Sequence, residues 1–322
     1  MLGKKLGIDL GSATTRVITR GEGLLFSEPT VVASRDGEPA TGLVGAAAID
    51  AASTDSSLRL HHPVRGGDVT DRVSLEVLMQ QTVNRAVGRQ RIFKPDMVLA
   101  VRAGMSGADR LAVLDAAVRS GARTVYLIDA AIAAAMGAGI SITSSRAHLV
   151  IDIGAGKTDV AVLALEGTAA CRSLTVGVDD LIARVAAHVE ARHGVKLGRA
   201  ELHGAAHLLV AAPHEERTAE LGGVLLSSHE LADLVNEHLR SLDDAILAVV
   251  EETPAVLRHD IRDSGVVLTG GGARQEGLGR RITTLTGYAT RVATEPEGCT
   301  VRGTAMAVDN LDVLKRSFLY MR

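Results

Sequence analysis

The stretch Ile151–Asp159, IDIGAGKTD, is a near-copy of Ile8–Arg16, IDLGSATTR. Each holds an aspartate, an apolar residue, a glycine and then small residues, with a threonine, Thr15 or Thr158, six places after the aspartate. Each is preceded by an alternating apolar run, KKLGIDLG or AHLVIDIG, and followed by another, TRVITR or TDVAVLAL. Two such runs around a short glycine-bearing turn read as a β-hairpin opening an α/β unit. A hairpin copied into the second half of a chain points to two related domains facing one another. The second copy departs from the first by placing a lysine, Lys157, among its small residues.

The remaining chain is consistent with that reading. Its 322 residues are long for one core, so two domains are expected. Aromatics make up only 2% and there is no tryptophan, so the chain lacks the stacking platforms of a single-strand nucleic-acid binder. A net charge of -3 with no long basic run also argues against nucleic acid as a partner. Cys171 and Cys299 stand far apart in no metal-like spacing and read as reduced cytosolic thiols. The start, MLGKKLGIDLG, has no apolar signal core. The longest uncharged run, Ala130–Ser145, is shorter than the ~20 residues a spanning helix needs. It reads as a buried helix and a turn, and a cytoplasmic protein is expected.

Helices and strands alternate, which defines an α/β class. SGADRLAVLDAAVRSG opens with Ser106 and Asp109 in capping-box spacing, sets Leu111, Leu114 and Val118 on one face and stops at Gly121. VDDLIARVAAHVEARHG puts Val178, Ile182, Val185 and Val189 at helical spacing. A second capping box, Ser227 and Glu230, opens a helix with Leu231, Leu234, Leu242 and Val249 on one side. DMVLAV, VYLID and GVVLTG read as strands. Val195–Gly223 is weakly periodic and reads as an irregular subdomain.

Turns of glycine and small residues let backbone N–H groups approach a phosphate closely. Asp9 and Asp152, at the ends of their first strands, stand where a Mg²⁺ and its waters need carboxylates. A third element, Leu268–Leu278, LTGGGARQEGL, sets three glycines between a strand and a helix, where a nucleoside can lie against bare backbone. Alone, such a turn is equally well a tight strand–helix connection.

Together the three elements resemble the actin-like ATPase superfamily, and within it the MreB-like bacterial actins, over nearly the whole chain. IDLGSATTRV is similar to the family's first phosphate loop and SEPTVVA, Ser27–Ala33, to the segment after it. VIDIGAGKTDVAVLAL is similar to its second phosphate loop, LTGGGARQEGL to its adenosine loop and RGTAMAVDNLDVLKR to its closing helix. The resemblance implies an actin-like α/β fold of two related domains with a nucleotide cleft between them. Domain I would span 1–142 and be closed by 311–322. Domain II would span 143–310, with a shortened subdomain at about 195–223. ATP would be held by Asp9, Gly11, Ser12, Ala13 and Thr14, by Asp152, Gly154, Ala155, Gly156, Lys157 and Thr158, and by Gly270, Gly271, Gly272 and Ala273. Mg²⁺ would sit near Asp9 and Asp152, through water.

The departures bear on chemistry. The family's second loop reads D-I-G-G-G-T-T-E; here Ala155 replaces the middle glycine and Lys157 the first threonine, which in the family helps hold the attacking water. The other water-positioning residue is the glutamate of E-P-M-A-A-A. The matching stretch here is DAAIAAA, which sets Asp129 one place early and Ala130 on the catalytic position. Alanine neither accepts a proton nor orients water, and general-base help is worth roughly 10²- to 10⁴-fold. No catalytic residue is assigned, and hydrolysis is expected to be weak or absent. Three dispositions are open to Lys157: against the γ-phosphate, out to solvent, or filling the nucleotide cleft. The family's charged residues for ribose and base are absent near Ala206 and Leu208, and Arg274–Glu276 alters the adenosine loop.

GRQRIFKPD, Gly88–Asp96, sets Ile92 and Phe93 between Arg89, Arg91 and Lys94. Apolar residues flanked by cations suit insertion at an anionic membrane surface, and the family uses a loop of this kind to grip the membrane. Met1 and Leu2 offer a small second anchor. The alternative is an ordinary loop with Ile92 tucked into the core. His203 and His207 read as a chance surface pair and His61–His62 as loop. The expected protein self-associates into filaments on the inner face of the cytoplasmic membrane and works with cell-wall and shape proteins. A nucleotide-free scaffold and a sugar-kinase-like enzyme are the rival readings.

Overall fold

A computed structural model describes residues 3–19, 21–35, 42–88, 93–141, 144–164, 167–198, 201–202, 217–309 and 319–321. The chain divides into two compact units, Met1–Gly139 with Gly298–Arg322, and Ile140–Glu297. The return to the first unit thus falls at Gly298 rather than at the expected 311. The cause is the helix Cys299–Asp309, which packs on the helix Ala130–Gly137 and on the first strand. Two glycines permit that approach. A Cβ on Gly303 would strike the carbonyl of Ala133, and one on Gly137 the carbonyl of Cys299.

The copied motif corresponds to a copied sheet. In the first unit, Lys5–Leu10, Thr14–Thr19 and Gly23–Pro29 form an antiparallel meander. Asp96–Val101 and Thr124–Asp129 continue parallel on the other side of the first strand, and Leu319–Met321 adds an antiparallel edge. In the second unit, His148–Ile153, Thr158–Ala164 and Gly167–Leu174 form the meander, with Val266–Thr269 and Thr290–Val292 parallel beyond. The hairpin registers match: Asp9 faces Arg16, and Asp152 faces Asp159. The central strands are buried on both faces, which is why DMVLAV reads as a continuous apolar run.

The helices fall where their caps place them. Ser106 Oγ accepts from the Asp109 N–H at 3.1 Å and Ser227 Oγ from the Glu230 N–H at 3.1 Å. Gly107–Arg119 turns a partly different face inward than expected. Ala112, Val113, Leu114, Ala116 and Ala117 are buried, while Leu111 and Val118 are exposed. The helix packs against Arg72–Val87, and Leu114 lies inward as expected, with Val113 and three alanines beside it. Val178–His193 buries its expected stripe, with Leu181 added. In Ser228–Glu252, Leu231, Leu242 and Val249 are buried and Leu234 only partly. His61 is not in a loop: it ends the strand Leu58–His61, with its Nε2 2.7 Å from Ser34 Oγ. His203, His207, Ala206 and Leu208 lie outside the described residues.

Candidate functional site

The first turn is built on Gly11, whose N–H donates to the Thr14 carbonyl at 3.2 Å. A Cβ on Gly11 would come within 2.7 Å of that oxygen, so the turn requires glycine. Thr30, from the segment after the hairpin, braces it from below. Its Oγ1 donates to the Gly11 carbonyl at 2.7 Å and its N–H to the Ala13 carbonyl at 2.9 Å. Ser12 Oγ accepts from the Gly67 N–H at 3.3 Å. Asp9 is paired across the hairpin with Arg16, at 3.7 Å.

The second turn repeats this closure. The Gly154 N–H donates to the Lys157 carbonyl at 2.8 Å, in register with the Gly11–Thr14 bond. Its brace is a helix start: the Gly154 and Ala155 carbonyls accept from the N–H groups of Val178 and Asp179 at 3.1 and 2.8 Å. Thr158 Oγ1 donates to the Val176 carbonyl at 2.9 Å. These bonds take up the orphan donors at the head of Val178–His193 and fix the loop to a rigid element.

Of the dispositions expected for Lys157, the one out to solvent does not hold: its side chain is only 15% exposed. Its ammonium turns back into its own hairpin, 3.4 Å from Asp152 Oδ2 and in contact with Asp159 Oδ2. Both carboxylates are buried. Their other oxygens are also engaged: Thr269 Oγ1 donates to Asp152 Oδ1 at 3.1 Å, and Ser173 Oγ donates to Asp159 Oδ1. Burial pushes the Asp152 carboxyl above the usual carboxylate range; Lys157 pulls it back and Asp159 pushes it further up.

In the third element the three glycines differ in role. Gly270 has φ 78° and a Cβ there would strike the Ile153 carbonyl; one on Gly272 would strike the Ile153 side chain. Both are required by the fold. A Cβ on Gly271 would meet nothing within 4 Å, so its bareness serves no packing purpose in this unit. Ala273 closes a tight turn by donating to the Gly270 carbonyl at 3.2 Å. Arg274 forms a bidentate pair with Glu297 at 3.0 and 2.8 Å, and Glu276 pairs with Arg217.

Ala130 opens the helix Ala130–Gly137 and is buried. The neighbouring carboxylate, Asp129, is held by Arg110 at 3.3 Å. Phe93 is 51% exposed, whereas Ile92, Arg89 and Arg91 lie outside the described residues. Strand pairing sets Lys5 against Asp96, and a Cβ on Gly3 would strike the Lys94 carbonyl, so the chain's start runs beside the Phe93 segment.

Sequence reasoning missed three of these partners. Arg16 was available from the hairpin register, which puts it opposite Asp9. Asp159 was available from the strand period, since residues two apart share a face with Lys157. Arg110 was not available, because only the tertiary fold brings it to Asp129. Among the described residues no group of three or more His, Cys, Asp or Glu side chains is gathered to hold a metal, and no helix is long and apolar enough to cross a membrane.

Duplicated sheets, each opening with a small-residue hairpin, define an actin-like α/β protein. The MreB/Mbl protein family model matches residues 3–316, and the chain belongs to that family. It is 30% identical to the cell shape-determining protein MreB of Escherichia coli K12, over 97% of this chain and 95% of that one. It is 27% identical to the cell shape-determining protein Mbl of Bacillus subtilis 168, over 98% and 99%. Among solved structures, it is similar to MreB5 of Spiroplasma citri bound to ADP, with a TM-score of 0.87 at 23% identity, covering 98% of this chain and 99% of that one. It is also similar to MamK in its double helical filament, with a TM-score of 0.77 at 19% identity, covering 95% and 99%.

Proposed function

We propose that this chain is a cytoskeletal bacterial actin that assembles into filaments on the inner face of the cytoplasmic membrane. There it helps determine cell shape and direct cell-wall synthesis, binding ATP and hydrolysing it weakly or not at all. The observation that carries the reading is full-length membership of the MreB/Mbl family with both hairpin turns intact. The turn N–H groups and Gly271 are the nucleotide-binding elements in this reading. The family places water with a glutamate and a threonine; Ala130 and Lys157 stand in their positions, and Asp129 is committed to Arg110. Neither of those two positions then carries a carboxylate or hydroxyl to orient an attacking water.

The family resemblance implies a Mg²⁺ with the ATP, placed near Asp9 and Asp152. The donor set at Asp152 does not fit it. Both Asp152 oxygens are engaged, and Oδ2 faces an ammonium.

The test is sedimentation and electron microscopy of the purified protein with and without ATP, together with equilibrium binding of a fluorescent ATP analogue. Filaments and saturable binding are expected. Failure to polymerise under any nucleotide condition would remove the filament reading. Filaments without analogue binding would favour a nucleotide-free scaffold.

A further inference from the structure

We infer that Lys157 is the resident cation of the second phosphate loop: its ammonium takes the place beside Asp152 where a metal ion would act, so this chain takes its nucleotide without Mg²⁺ at that aspartate. The consequence for nucleotide rests on the ATP-binding reading above; the cation assignment itself does not.

The charge arithmetic comes first. Asp152 and Asp159 face one another across the hairpin, both carboxylates, both buried. Two such groups side by side are strongly unfavourable unless a positive charge lies between them. Lys157 Nζ is that charge, in contact with Asp159 and 3.4 Å from Asp152. Its side chain is only 15% exposed, so solvent screens the cluster little. The hydroxyls of Thr269 and Ser173 satisfy the remaining carboxylate oxygens from the outside. A buried cluster of this kind is costly to break by removing one member, because an uncompensated charge is left behind.

Comparison with the first hairpin sharpens the point. Turn position for turn position, Thr14 stands where Lys157 stands, and Arg16 where Asp159 stands. In the first copy a single acid, Asp9, is balanced by the cation opposite it. In the second copy the opposing position carries another acid, and the balancing cation has moved into the turn itself. A Mg²⁺ needs near-octahedral oxygen donors at roughly 2.0–2.1 Å and keeps several of its waters. An ammonium hydrogen-bonded to the same oxygen blocks that approach and repels the ion. Lysine supplies its charge from within the hairpin, on a side chain anchored two residues from one partner and five from the other.

The experiment uses the full chain in buffer with EDTA and in buffer with millimolar Mg²⁺. Without nucleotide, the wild-type melt is expected to be the same in both. Lys157→Thr, which leaves the two acids unpaired, should melt lower in EDTA and recover in Mg²⁺, while Lys157→Arg should behave as wild type. With the fluorescent ATP analogue, wild-type Kd should agree within about twofold between the buffers, and Lys157→Thr should become Mg²⁺-dependent. A wild-type melt raised by Mg²⁺, or a wild-type Kd weakened tenfold or more by EDTA, overturns the inference, and neither depends on the variants folding. A Lys157→Thr protein that folds and melts like wild type in EDTA also overturns it. Absence of analogue binding in both buffers overturns the ATP-binding reading instead, and the melts then decide the cation assignment.

Discussion

Arg110 holds Asp129 at 3.3 Å, so the carboxylate beside Ala130 is already committed. The residue in the family's catalytic position is an alanine, which can neither accept a proton nor orient water. Phosphate release by the wild-type protein is therefore expected to be at least tenfold slower than that of an MreB carrying the glutamate and threonine, assayed side by side; loss of the base alone is worth roughly 10²- to 10⁴-fold. The double change Ala130→Glu with Lys157→Thr should raise it. Equal wild-type rates would show that water is placed by other residues.

Gly271 separates ligand from fold. A side chain there meets nothing in its own unit, so Gly271→Val should leave the thermal melt unchanged while abolishing binding of a fluorescent ATP analogue. Gly272→Val is the contrast. Its side chain would collide with Ile153 and reach within 3.0 Å of Val178, and overpacking of this kind costs roughly 1–3 kcal/mol. That variant should melt lower. If Gly271→Val binds the analogue as wild type does, the nucleoside lies elsewhere.

These residues also show what a sequence can reveal. The hairpins were legible because strand period and turn chemistry are both local, and the two capping serines placed their helices for the same reason. The inward face of Gly107–Arg119 was legible only at Leu114, because which of its apolar neighbours turn inward is decided by tertiary packing rather than by local spacing. Nor was the return at Gly298. It depends on Gly137 meeting Cys299 and Gly303 meeting Ala133, pairs brought together only by the fold. At the site, Lys157 was conspicuous as a departure from pattern, but its disposition depended on Asp159, an acid that looks ordinary until it is set opposite Asp152.

Glu28 joins three elements of the first unit. Its Oε2 accepts the Ala46 N–H at 3.0 Å and its Oε1 pairs with Arg85 at 2.6 Å; Arg85 in turn lies 4.3 Å from the Phe26 ring centre. The Ala46 N–H, then Arg85, hold the Glu28 carboxyl below its usual 4.5. A lowered folded-state value means the charged form stabilises the fold. That contribution is complete above the unfolded value and disappears as pH falls through the folded one. Because Arg85 is more than half exposed, about 1 kcal/mol is expected. Glu28→Gln should lower the melt by a few degrees at pH 7, and the gap to wild type should close near pH 3. A gap independent of pH would mean the loss is one of packing alone.

Phe93 tests the membrane reading. In a chain with few aromatics, this one stands 51% exposed on a segment that the chain's start runs beside. Burying a Phe completely is worth roughly 1.5–3 kcal/mol, and each nearby Lys or Arg adds about 1 kcal/mol at an anionic surface. On the membrane reading one subunit would bind weakly and reversibly, while a filament presenting many copies on one face would bind firmly. Because Phe93 is already half in solvent, Phe93→Ser should leave the thermal melt unchanged. It should sharply reduce co-sedimentation of polymerised protein with anionic liposomes, and adding Ile92→Ser should reduce it further. Neutral liposomes should recruit the wild type poorly, since the flanking cations then contribute nothing. Undiminished co-sedimentation of the double variant would place the anchor elsewhere. A melt lowered by Ile92→Ser but not by Phe93→Ser would assign Ile92 to the core and leave Phe93 as the sole apolar contact of this loop.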